Sequence, residues 1–119
     1  MSVEKLINKI RQNPQDVSFD EVIAVIKESY QYTPTRFSSG LGETRVINEA
    51  GQNEGSCRIF AFAQLQGLSE AETLSCFGKF YRDDVLGHPA GNDHANIRNF
   101  MRDGWAGIVF DGVALKNLC

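Results

Sequence analysis

GSCRIFAFAQLQG, residues 55–67, is the stretch on which the reading of this chain turns. Ile59, Phe60, Ala61, Phe62, Ala63 and Leu65 form a nearly complete apolar ring at helical spacing, so the helix is expected to be buried on most sides. Gly67 is a natural residue for its left-handed end. A helix of this kind cannot face water, and the remaining elements must be found around it.

They lie on both sides. Val3, Leu6, Ile7 and Ile10 recur at helical spacing, with Pro14 beyond them. Ser18-Phe19-Asp20-Glu21 and Ser69-Glu70-Ala71-Glu72 read as capping boxes, each opening a helix. The first carries Val22, Ile23 and Ile26 towards Tyr30; the second is expected to run through Leu74, Phe77, Phe80 and Tyr81, with Gly78 inside it. Residues 82–93, RDDVLGHPAGND, read as loop, and Asp93 is the expected N-cap of a helix with Ile97, Phe100 and Met101, ended by Gly104. Two extended pieces, residues 36–38 and 44–47, flank a Gly-Leu-Gly bend, and Asp111-Gly112 stands between apolar pieces as a hairpin signal. Segregated helices with few strands predict an α+β domain: four to five helices packed on a small antiparallel sheet that includes a C-terminal hairpin.

The 119 residues fit one domain, and 42% hydrophobic content suffices for a core without metal or disulfide staples. A net charge of −3, with basic residues scattered, argues against nucleic-acid binding. No apolar run has the roughly 20 residues of a membrane span. The charged amino terminus, MSVEKLINKIRQNP, lacks the apolar core of a secretory signal, so synthesis in the cytoplasm is expected. Cys57, Cys76 and the final Cys119 show no CxxC spacing, and free thiols are expected.

Cys57 is the first candidate for chemistry. The first turn of a helix favours a thiolate, and Arg58 adds to this. His94, beside Asp93, could serve as its base, giving a Cys57–His94–Asp93 set. Glu54 opposes it by raising the thiol, and a cysteine heading an apolar run is more simply a small buried residue. Cys57, Cys76, His88 and His94 have none of the short ligand spacings, so no metal or other cofactor is expected. Residues 48–55, NEAGQNEG, place Asn48, Asn53 and Glu54 ahead of the buried helix. They read either as a turn whose Asn53 or Ser56 caps the helix, or as a pocket wall where an anion could sit. A second polar group, YRDDVLGHPAGNDHANIRNF at 81–100, supplies Arg82, His94 and Arg98, the last able to hold a carboxylate or phosphate. Trp105 reads as closing the core.

NEGSCRIFAFA (53–63), ETLSCFGKFYRDDVL (72–86), GNDHANIRNFM (91–101) and GWAGIVFDGVAL (104–115), in this order, resemble the HopJ type III effector family. The resemblance covers about residues 3 to 115. It implies a bacterial protein delivered into a host cell by a type III secretion system and associated with virulence, and it brings no catalytic residues. Three functions therefore stand as expectations: an effector acting by binding a protein partner, for which residues 107–119 offer an edge for strand addition; a small enzyme using Cys57 and His94; and a small-molecule binding module using Asn48, Asn53, Glu54, His94 and Arg98.

Overall fold

The structure is a computed structural model that describes residues 1–118; Cys119 lies outside the described residues. Ser2 caps α1 (Val3–Gln12) by accepting from the Lys5 amide. The Ser18 capping box is complete in α2 (Phe19–Ser29), where Ser18 Oγ takes the Glu21 amide and the Glu21 carboxylate takes the Ser18 amide. Such a cap is worth about 1 kcal/mol. Three short strands follow: β1 (Tyr30–Tyr32), β2 (Phe37–Ser39) and β3 (Val46–Asn48). Then come α3 (Glu54–Gln66), α4 (Glu70–Ser75, with the Ser69 box intact) and α5 (Ala95–Asp103). β4 (Val109–Phe110) and β5 (Leu115–Asn117) end the described chain.

The α+β class and the antiparallel pairing are as expected, and α3 is the element the others surround. Ile59, Phe60, Ala61, Phe62 and Ala63 are all buried, whereas Leu65 is exposed, so the apolar ring is open on that side. Phe60 is fully buried, with its ring 5.1 Å from Phe100 of α5, 5.4 Å from Phe77 and 6.2 Å from Phe37 of β2. Trp105 does close this core: it meets Phe100 edge-on at 4.9 Å and donates its indole N–H to the Leu68 carbonyl at 3.2 Å.

Three expectations are corrected. The C-terminal strands form no hairpin with each other. β4 joins β2 in a sheet of order β3-β2-β4, and β5 joins β1 in a second, two-stranded sheet. Asp111 prolongs the β2–β4 ladder, its amide bonded to the Arg36 carbonyl and its carboxylate to the Arg36 guanidinium, so the Asp-Gly step carries the chain from one sheet to the other. Phe110 then stacks on Phe37 while Leu115 is buried, a gain in apolar contact that a tight turn at 111–112 would forgo.

The second correction concerns Gly78. The helix from Ser69 stops at Ser75, and Gly78 takes a left-handed φ of 59°. A Cβ there would lie 2.7 Å from the Phe19 amide nitrogen, so only glycine lets the start of α2 approach this turn. The third concerns the expected loop: Phe80–Val85 form a π-helical segment, marked by the Leu86 amide bonding the Tyr81 carbonyl at 2.9 Å. Such segments are rare and recur at functional sites.

Candidate functional site

α3 and α5 share an unusual beginning. Both N-cap residues are left-handed without being glycine, Asn53 at φ 50° and His94 at φ 51°, and neither makes a side-chain cap. Ordinary N-caps are extended and cover the first free amides with a side-chain oxygen, as Ser2, Ser18 and Ser69 do here. Neither Asn53 nor Ser56 caps α3, and Asp93 does not cap α5. The amides of Glu54, Gly55 and Ser56, and of Ala95, Asn96 and Ile97, have no acceptor among the described residues. Both helix starts open on one cleft of about 340 Å³, where Asn53, Ser56, His94 and Asn96 meet Phe19 and Phe80.

A buried amide network holds the two ends in register. Asn48 and Asn96 exchange hydrogen bonds at 3.0 and 3.1 Å, and both side chains are buried. Asn48 Oδ1 also accepts from Asn53 Nδ2 at 2.7 Å, and Asn96 Oδ1 from Ser39 Oγ at 2.6 Å. β3, the cap of α3, the first turn of α5 and β2 are thus tied through two side chains. His94 lies against the π-helical segment: its Nε2 is 3.1 Å from Asp84 Oδ2, and its ring is 5.5 Å from that of Phe80. Asp93 is farther from it, at 3.8 Å, and is taken by Arg98 at 2.6 Å. The Arg98 guanidinium holds the Asp93 carboxyl below its usual value.

The remaining candidates stand elsewhere. Arg98 also donates to the His88 and Pro89 carbonyls, so its guanidinium ties down the 88–93 loop. Arg82 donates to the Pro14 and Val17 carbonyls, a structural bridge between distant turns. Glu54 belongs to the first turn of α3, on the side of Tyr32 and Cys57. Cys57 is 1% exposed, its thiol turned to the Thr35 carbonyl at 3.7 Å, and no hydrogen bond joins it to His94. Burial pushes that thiol up, against smaller lowering effects of Tyr32, Thr35 and Arg58. Beside it the Tyr32 hydroxyl is buried without a hydrogen-bond partner; burial, then Glu54 and Cys57, raise its pKa. Cys76 is buried too, and its thiol is pushed up to about 12 by burial and then by Glu72. Among the described residues no three of His, Cys, Asp or Glu come together as a metal-ligand set.

Because the reactive form is the thiolate, both cysteines are expected to resist iodoacetamide at neutral pH until the chain unfolds. Mass spectrometry after timed labelling reads this directly. Fast labelling of Cys57 in the folded protein, slowed by His94→Ala, would restore a Cys–His pair.

The family model described as HopJ type III effector protein matches residues 3–115. The chain belongs to the HopJ family. A crystal structure titled as unknown function protein VPA0580 is similar to this HopJ chain at 44% identity, with a TM-score of 0.93, covering 98% of this chain and 94% of that one. No curated protein matches it. Among the described residues of the HopJ chain no helix is long and apolar enough to cross a membrane.

Two residues that the sequence did not single out for a site, Phe19 and Phe80, line the apolar side of the HopJ cleft. Phe19 stood inside a capping box, where an apolar letter gives no sign of its neighbour. Gly55 offered a signal, since a Cβ there would come within 2.7 Å of the Phe19 ring.

Proposed function

We propose that this HopJ protein acts by binding rather than by thiol chemistry, and that its site is the cleft between the starts of α3 and α5, where it receives an anionic group of its ligand or partner. One observation carries this reading. Of the five α-helices among the described residues, three are capped by serine, and the two left uncapped open on the same cleft. First-turn amides that no side chain covers take water or a ligand, and the helix dipole favours a negative one. The cleft is near the small end of ligand pockets, which run from about 300 to 1,000 Å³. Non-glycine left-handed residues cost of order 1–3 kcal/mol each, and such strain is concentrated at ligand sites.

Titration of the labelled protein with inorganic phosphate or acetate, followed by amide NMR, tests the site. The expected result is saturable shifts at Gly55, Ser56, Ala95 and Asn96, with the Ser18 and Ser69 helix starts unmoved. Equal shifts at all helix starts, or none, would remove it. The family description supports the further proposal that the protein is a type III effector whose ligand or protein partner lies in a host cell. A reporter fused to the amino-terminal residues in a secreting strain tests that part separately, with no signal in host cells counting against it.

A further inference from the structure

We infer that residues 109–118 form an open strand edge on which a second copy of this chain docks, antiparallel, about a two-fold axis between Val113 and Ala114. None of these residues lines the cleft, so the inference goes beyond the binding reading and stands apart from it.

The edge follows from the register. β4 pairs with β2 and β5 with β1 in a single frame: Phe37 faces Phe110, Tyr32 faces Leu115, and the Asp111–Arg36 and Thr33–Ala114 backbone bonds lie between them. Among the described residues neither β4 nor β5 has a strand on its other side. Backbone groups alternate in direction along an antiparallel strand. The Asp111 amide bonds the Arg36 carbonyl, so the N–H and C=O of Phe110 point outwards. The Ala114 carbonyl accepts from Thr33 and the Leu118 amide donates to Ser29, so those of Leu115 and Asn117 point outwards too. Sheets commonly protect such an edge with proline or lysine, yet residues 109–118 hold no proline and a single lysine.

One register with a second copy meets three separate demands. Phe110 faces Asn117 of the second copy, so free backbone groups meet free ones; a shift of one residue would set them against groups already bonded. Asp111 faces Lys116 of the second copy, twice by symmetry. Lys116 is exposed and forms no ion pair among the described residues, and Asp111 shares the Arg36 guanidinium with Glu49. A shift of two residues separates these charges. The exposed Val109 faces the exposed Leu118 of the second copy, and Val113, 62% exposed, lies at the axis. Beside it the exposed Leu65 rims a groove of about 230 Å³ lined by Ala61, Ala114 and Leu115. The strand is thus its own complement in hydrogen bonding, charge and apolar surface, which a two-fold contact requires. A contact of this length lies at the small end of interfaces, so the dimer belongs to high concentration.

Sedimentation equilibrium of the whole chain, from about 1 µM to about 1 mM, covers the affinities of small interfaces. The expected result is a monomer–dimer equilibrium, with exchange of the Phe110 and Asn117 amides slowing as the dimer forms. Lys116→Glu, an exposed substitution, sets like charges opposite each other and should weaken association about 10-fold or more. Asp111→Lys should weaken it as well. Mixing the two variants should restore it, because the mixed dimer again pairs each charge with its opposite. Where Asp111→Lys folds poorly, Asn117→Pro takes its place: it removes an N–H that β1 does not use, and should abolish the dimer with the fold intact. A monomer at every concentration would overturn the inference and leave the edge to an extended segment of another protein. A dimer indifferent to both Lys116→Glu and Asn117→Pro would overturn it too, since it would use another surface.

Discussion

Phe60→Ala is expected to cost about 3–5 kcal/mol of folding stability, the range for deleting a fully buried phenylalanine. The ring belongs to α3 but packs on β2 through Phe37, on α5 through Phe100, and on Phe77 and Trp105 from the segments after α4 and α5. No neighbouring element can relax into the space without withdrawing from the others, so the cavity term should be near its maximum. Against a typical domain stability of about 5–15 kcal/mol, this is a large fraction. Urea denaturation should show a lower midpoint at an unchanged slope. A loss under about 1 kcal/mol would show that Phe60 is not the hub described here. Phe60→Leu, which keeps most of the volume, should cost less than Phe60→Ala.

Asn96→Ala is expected to be the most damaging polar substitution, at about 2–4 kcal/mol, since buried groups left unpaired cost about 1–3 kcal/mol each. Asn96 satisfies both the Asn48 amide and the Ser39 hydroxyl, and Ser39 is fully buried. The mechanism makes a second demand that a mere packing defect would not meet. Asn48→Ala and Asn96→Ala should be strongly non-additive, because each removes the partner of the other. A double-mutant cycle measures that coupling, and a coupling near zero would refute the network. Asn48 also holds Asn53 at 2.7 Å, so the Asn96 variant should shift the amide resonances of Asn53 and Gly55, across the cleft from the mutated residue.

How far the letters alone could reach differs from element to element. The Ser18 and Ser69 boxes, the buried face of residues 59–63 and the glycine ends at 67 and 104 are local relations, decided within a turn or two, and they are legible. Residues 48–55 and 81–100 were also legible as polar segments worth attention. That they meet was not, because the Asn48–Asn96 pair joins residues far apart in sequence and asparagines look alike in turns, caps and cores. The same limit explains the C-terminal strands. Asp111-Gly112 is a sound hairpin signal locally, but Phe110 and Leu115 each find a better-buried edge offered by strands near the start of the chain. Gly78 shows the reverse case: a weak letter inside a helical pattern was the sign of a close approach by a distant backbone.

The crossing of residues 110–115 between the two sheets governs the order in which the molecule can be made. β1 and β2 emerge early, yet β1 has its partner in β5, and β2 lacks one flanking strand until β4 arrives. Both pairings close long loops, the kind of contact that slows folding. During synthesis the helices can therefore gather around α3, while β1 and one edge of β2 stay unpaired until residues 109–117 follow. β4 and β5 act as the latch that fastens both sheets onto the helical assembly.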